Sequence, residues 1–380
     1  MILNEKPKFI IKNNSQKGSY KFSEILTKEV LKDVCYKITG KSEYILEYDE
    51  DGYNKGRLAK LVYKNHTNFI SFSEHGKVKG RNYFFQSLTT ALVMYQLFEE
   101  NSKSIFFYIL NHEGNIETTY HKFMYRLMAT ANVNFINASE KLKYEIFPFI
   151  SVDDLVTNRE KNRQGNKSNK SSYVTKNEDG VVEIYAKTYG ANKKEAILIA
   201  MAASRISKNI TLYELIEQNL KTLPKNDKEV LKMISNVRVV TSDLQLEKQD
   251  FKDNNSLRSP KFIFNLLEKI GPKKCMLCTC DIPELIDGAH IWPVADIKKQ
   301  SFSLEKKLDL AISKENGMWL CKNHHKLYDS EMIRFNQLGE VIITNDEFED
   351  YIKRITTIYR IDEQILTIEF LKNNEKRNSN

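Results

Sequence analysis

Four of the five cysteines in this chain of 380 residues fall between positions 275 and 321. They form a Cys275-x-x-Cys278 pair and, about forty residues on, the first half of a Cys321-x-x-His324 pair. A C-x-x-C knuckle places two thiolates in a tight turn. A C-x-x-H at the start of a helix places two ligands one turn apart on the same face, because residues i and i+3 are neighbours there. Together the pairs predict a closed, tetrahedral Cys3His site, the pattern of a structural zinc. In "CMLCTC", Cys280 could replace one thiolate, although the 275/278 spacing suits the knuckle better. Buried free cysteines with incidental histidines are the bland alternative, and two matched spacings weigh against it. Clustered cysteines read as metal ligands more readily than as disulfides when the compartment is reducing.

The length suggests two or three domains, since single cores rarely grow past ~250–300 residues. No apolar run approaches the ~20 residues of a membrane span. The opening stretch "MILNEKPKFIIKNNS" lacks the apolar core and cleavage site of a signal peptide, so a cytoplasmic location away from membranes is expected. The net charge of +8 suits a phosphate-bearing partner. It is equally the charge of a lysine-rich solvated surface.

The predicted fold class is α+β and multi-domain. Residues 1–155 read as an α/β domain for DNA recognition or dimerisation, with "NFISFS" and "SIFFYIL" as strands and "NYFFQSLTTALVMYQLFEEN" as a helix. Lys77, Lys79 and Arg81, flanked by glycines, could face phosphates or belong to a solvated connection. Residues 156–180 are polar and basic, expected as a linker or loop. Arg159, Lys161, Arg163, Lys167 and Lys170 could order there on a nucleic-acid backbone. Residues 181–255 read as a mostly helical second unit for DNA recognition. It opens with the strand "VVEIYAK", carrying Lys187 as a candidate DNA contact. Helices follow from Asn192, from a capping box at Thr211 and Glu214, and from Asn226 with Glu229. Ser259, Pro260 and Gly271 punctuate another helix at the entry to residues 256–345. Residues 346–380 read as a helical extension and tail.

Between the two metal-binding halves lies "AHIWP", while "NGMWLC" leads into the second half and "NHHKLYD" overlaps and follows it. These three stretches, over residues 270–335, resemble the HNH nuclease family with its ββα-metal fold. The resemblance implies that His290 is the general base, its ring held by a backbone carbonyl. It implies that Asn316 braces the loop between strand and helix, and that His325 binds a catalytic Mg²⁺ or Mn²⁺. A neutral imidazole near its unperturbed pKa of ~6.5 suits the base. Successive helical residues point about 100° apart, so His324 can turn to the zinc while His325 faces the substrate. One position departs from the pattern: Ala289 stands where many members carry a metal-binding Asp or His. Asp329, one turn beyond His325, is the preferred replacement ligand, followed by Asp287.

By this resemblance the chain is expected to be a sequence-specific restriction-type endonuclease of the bacterial cytoplasm. It would act on double-stranded DNA as a homodimer, with a cognate DNA methyltransferase encoded nearby. The alternatives are another HNH nuclease (homing, modification-dependent or defence effector) and a non-catalytic zinc module that binds DNA.

Overall fold

The computed structural model describes residues 5–12, 26–49, 58–72, 88–95 except 90 and 94, 103–110, 119–138, 140–164, 172–187, 192–216, 222–253 except 224, 259–362 and 365–375. The chain forms two compact units. The first comprises Met1–Ser172, Thr188–Ile210 and Leu223–Arg238; the second comprises Tyr173–Lys187, Thr211–Thr222 and Val239–Asn380.

Among the described residues the first unit is built on six strands: β1 (Lys8–Lys12), β2 (Ile45–Asp49), β3 (Leu58–Tyr63), β4 (His66–Phe72), β5 (Lys103–Tyr108) and β6 (Asn134–Ile136). Their order is β2-β1-β3-β4-β5-β6. The β1–β2, β4–β5 and β5–β6 pairs are parallel, while β1–β3 and β3–β4 are antiparallel. Lys64 and Asn65, both at positive φ, make the two-residue connection from β3 to β4, in keeping with the turn that matches strand twist. The helix Lys28–Thr39 starts on the Thr27 side chain and ends at Gly40 in the left-handed region. Its inner face puts Leu31, Val34 and Cys35 into the core with Phe9, Ile11 and Ile70. The fifth cysteine is therefore a packing residue. In the helix Asn192–Ala203 the stretch Ala196 to Ala203 is apolar and buried throughout, as an interior helix requires. A further helix, Lys225–Met233, begins just before the predicted Asn226.

Where a linker was expected, the chain instead forms the helix Val152–Gln164 and the strand β7 (Tyr173–Lys176). The reason lies in Arg159, one of the residues that could have reached phosphates. Its side chain is 1% exposed and ion-paired with Glu195, which is 2% exposed. Its guanidinium also donates to the Ser172 carbonyl at 3.0 Å. Lys167 and Lys170 lie outside the described residues.

The second unit carries the sheet β10-β9-β8-β7, in which β8 is Val182–Lys187, β9 is Ile210–Leu215 and β10 is Val237–Ser242. The predicted helix from Thr211 is thus a strand. Its sequence alternates buried and half-buried residues, and the wholly buried Glu214 accepts a hydrogen bond from Thr241 on β10 at 2.9 Å. Cross-strand pairing outweighs the coincidental capping-box spacing.

The helix Pro260–Lys269 starts on the Ser259 hydroxyl and is followed by Gly271 at positive φ, as predicted. It lies against an antiparallel hairpin of β11 (Ile286–His290) and β12 (Gly317–Cys321), in register from Ile286↔Cys321 to His290↔Gly317. The contact is close. A Cβ added at Gly317 would stand 2.6 Å from the Phe262 ring, and one at Gly288 would stand 2.9 Å from Leu266. The short helix Lys322–Asp329 follows β12 directly, completing a ββα unit. Two helices, Val294–Lys299 and Leu304–Ile312, fill the crossing from β11 to β12. Beyond them come a hairpin of β13 (Ile333–Phe335) and β14 (Val341–Ile343), then the helices Glu349–Ile355 and Ile368–Glu375. The core gathers Phe262, Leu266, Met318, Trp319 and Ile352. Among the described residues, no helix is long and apolar enough to cross a membrane.

Candidate metal centre and active-site cleft

The two predicted metal-binding halves meet. The ligand atoms of Cys275, Cys278, Cys321 and His324 all lie within 4.8 Å of one another. Cys278 Sγ stands 3.9 Å from Cys321 Sγ, close to the ~3.8 Å separating two thiolates of a tetrahedral zinc with Zn–S near 2.3 Å. His324 Nδ1 lies 3.1 Å from Cys321 Sγ and 3.5 Å from Cys275 Sγ. This donor set and its spacing fit one zinc ion. Cys280 is outside the cluster; its carbonyl instead accepts from the Cys275 amide at 2.8 Å, closing the knuckle turn.

The far nitrogen of His324 reveals a partner that spacing could not show. Nε2 lies 3.1 Å from the Thr356 hydroxyl, and both residues are buried. A hydroxyl held on Nε2 fixes the ring so that Nδ1 faces the thiolates, the outer-shell support that metal-binding histidines usually have. The next two amides, of Thr357 and Ile358, donate to the Leu277 carbonyl in the knuckle. The C-terminal extension is therefore built into the metal centre. It entered no metal motif because its contribution is one hydroxyl and two backbone N–H groups.

His290 ends β11, half-buried, with its ring stacked on Phe262 at 4.0 Å and 8° between planes. Its Nε2 lies 3.0 Å from the Ala311 carbonyl oxygen. A carbonyl can only accept, so Nε2 carries the proton and Nδ1 keeps a basic lone pair. Loss of hydration against Phe262 pushes the imidazole down to about 4, opposed by the Ala311 hydrogen bond and assisted by His325. The ring is thus neutral across the physiological range.

Asn316 is wholly buried. Its Oδ1 accepts from the Trp292 amide at 2.7 Å, and its Nδ2 donates to the carbonyls of Trp292 and Leu310 at 3.1 and 3.2 Å. It ties the chain just after His290 to the end of the helix Leu304–Ile312. It works on backbone, as a positioning residue.

His325 faces away from the cysteines. Its Nδ1 lies 3.3 Å from Asp287 Oδ2, and its Nε2 lies 3.6 Å from Asp329 Oδ2. Both predicted carboxylates therefore flank one imidazole, with Asp287 the nearer. An imidazole nitrogen with carboxylate oxygens is a donor set that a divalent ion such as Mn²⁺ or Mg²⁺ accepts. Ala289, the departure from the expected pattern, is wholly buried. His290, Asp287, His325 and Asp329 line one cleft of about 510 Å³. The helix Lys322–Asp329 thus turns His324 to the cysteines and His325 to the cleft, as the 100° step predicts.

Lys77, Lys79 and Arg81 lie outside the described residues. Lys187 ends β8, with its side chain likewise outside them.

A comparison with curated proteins finds none that matches this chain. A family model does match, over the segment whose geometry has just been set out. Residues 275–336 match HNH_2, an HNH endonuclease family, so the chain carries an HNH endonuclease domain, which implies DNA as its substrate.

Proposed function

We propose that this protein is a metal-dependent DNA endonuclease of the restriction type, acting in the bacterial cytoplasm, with His290 as the general base. The observation that carries the reading is the shared cleft, in which a neutral imidazole and a His–carboxylate set line the same space. His290 Nδ1 takes the proton from the attacking water as it approaches phosphorus, and Ala311 and Phe262 keep the ring aimed. Asn316 holds that ring's strand end in register with the helix bearing His325. Asp287 holds Nδ1 of His325, which leaves Nε2 and Asp329 to take the catalytic ion. That ion supplies charge stabilisation for the crowded phosphate and the departing 3′-oxygen. The Cys3His zinc keeps β12 and the helix joined and stays out of the chemistry.

One such cleft cuts one strand, so double-strand cleavage requires a twofold homodimer or two successive nicks. Sequence specificity falls to the residues upstream of the HNH domain, and host protection to a cognate methyltransferase. A different HNH nuclease, homing, modification-dependent or defensive, uses the same cleft. Digestion of supercoiled plasmid separates these readings. Mg²⁺- or Mn²⁺-dependent discrete fragments from unmodified DNA support the restriction enzyme, and cleavage of methylated DNA alone supports the modification-dependent one. His290→Ala should lower the cleavage rate about 10²–10⁴-fold while zinc content stays at wild-type level. Absence of divalent-dependent cleavage on any DNA overturns the nuclease reading.

A further inference from the structure

The cleft has a second wall that phosphodiester hydrolysis does not use. Glu183 and Tyr185 project from one face of β8, two residues apart, and Tyr213 from β9. All three line the cleft that holds His290 and His325. The two tyrosine rings stack at 4.9 Å, 19° from parallel. Both hydroxyls turn to one carboxylate: Tyr185 donates to Glu183 Oε2 at 2.9 Å, and Tyr213 reaches Oε1 at 3.5 Å. Tyr185 is fully buried behind Tyr213, which is half-buried at the cleft. Lys273, also lining the cleft and 8% exposed, donates to the Lys176 carbonyl at 2.9 Å. Burial holds its ammonium below the usual lysine range, opposed by the carboxylates of Glu183 and Asp287.

This wall excludes two kinds of occupant. A phosphate would meet the carboxylates of Glu183, Glu178 and Asp179, which share the cleft. A second metal ion would meet the Lys273 ammonium beside Glu183. What remains is a neutral, planar group with hydrogen-bond donors at its edge. A ring of that kind can stack on Tyr213 and donate an amine to Glu183, since carboxylates read exocyclic amines and aromatic side chains stack bases.

We propose that Glu183 and Tyr213 form a nucleobase subsite for an amine-bearing base, cytosine or adenine, in the nucleotide beside the scissile phosphate. This rests on the nuclease reading above and deepens it. Tyr185 backs the stack and helps hold the carboxylate, and Lys273 offsets its charge. Tyr213 and Glu183 are specificity determinants, and neither touches the reacting atoms.

The test is cleavage of a duplex library randomised around the cut, with sequencing of product ends. Wild-type protein should favour cytosine or adenine at one flanking position by on the order of tenfold over guanine and thymine; which of the two prevails identifies the base. Glu183→Gln should cut this preference to within about twofold, because an amide also donates to carbonyl-bearing bases. Tyr213→Phe, which keeps the ring, should retain it. Zinc content and melting temperature, measured on each variant, show that the fold is kept. A wild-type preference for cytosine or adenine that Glu183→Gln leaves unchanged overturns the proposal. So does a uniform rate loss with the same base profile, which marks the cluster as mere support. If wild-type protein cuts no DNA at all, the nuclease reading itself falls and takes this inference with it.

Discussion

His324 and His325 are consecutive residues on one short helix, yet they sit in opposite kinds of surroundings. His324 is 1% exposed, its two nitrogens committed to thiolates and to Thr356. His325 is 26% exposed, set between two carboxylates at the edge of a cleft. The first site is soft, closed and complete from protein atoms alone. The second, on the reading proposed above, would be hard and open, with room for water and substrate. A metal site that must hold a fold excludes exchangeable ligands, and one that must do chemistry keeps a place for them. Here one turn of helix supplies both, so distortion of the closed site disturbs the open one, whereas damage to the open site leaves the closed one intact.

That asymmetry can be broken experimentally, and the largest effect is expected on the closed side. Cys321→Ser should abolish zinc binding, measured by metal analysis, and should eliminate cleavage together with the cooperative melting of the HNH domain. Retained zinc and activity would mean that the cluster is not a metal site. On the open side, Asp329→Asn should weaken the catalytic ion by about 10–100-fold, read as a higher Mn²⁺ requirement for cleavage at unchanged zinc content. Asp287→Asn should have a smaller effect on that requirement, because Asp287 orients the ring. If the two rank the other way, Asp287 is the ligand and Asp329 the support.

Next in size is Gly317→Ala, which intrudes on Phe262 and Leu266 at the closest helix–hairpin contact. Overpacking should cost roughly 1–3 kcal/mol, seen as a lowered melting temperature. Cleavage should fall as well, since Phe262 also carries the His290 ring. The smallest effect is in pH. The folded-state imidazole of His290 is held down to about 4, below its unfolded value of ~6.5. Its contribution to stability is therefore full above ~6.5 and is lost as pH falls through about 4. The acid limb of kcat/KM should accordingly lie below the ordinary histidine range. A limb at 6.5 or above would mean that packing against Phe262 does not hold the ring's affinity for a proton down.

The metal centre was legible because its chemistry is local: two ligand pairs, each within one turn or knuckle, restrict the answer before the fold is known. The helix Pro260–Lys269 was legible for the same reason, with Ser259 and Gly271 as its boundaries. What failed was settled at a distance. Thr211 and Glu214 have the spacing of a helix start, but Glu214 is committed to Thr241 on a neighbouring strand. Arg159 looked like part of a solvated basic run because Glu195, its buried partner, lies 36 residues away. Thr356 carries no metal signature at all. Glu183 and Tyr185 read as ordinary strand residues, and Tyr213 as part of a helix, until β8 and β9 are laid side by side.

The tie between the knuckle and residues Thr356, Thr357 and Ile358 has a consequence for how the enzyme comes into being. A ribosome that has completed the cysteine pairs and the ββα unit has not yet made the hydroxyl that turns the His324 ring, nor the amides that close on Leu277. All four ligands precede that hydroxyl in the chain, so the ion can be captured first and the support of its ring added afterwards. A chain released before Thr356 would keep the full ligand set but hold the ion about 10–100-fold more weakly, for want of that outer support.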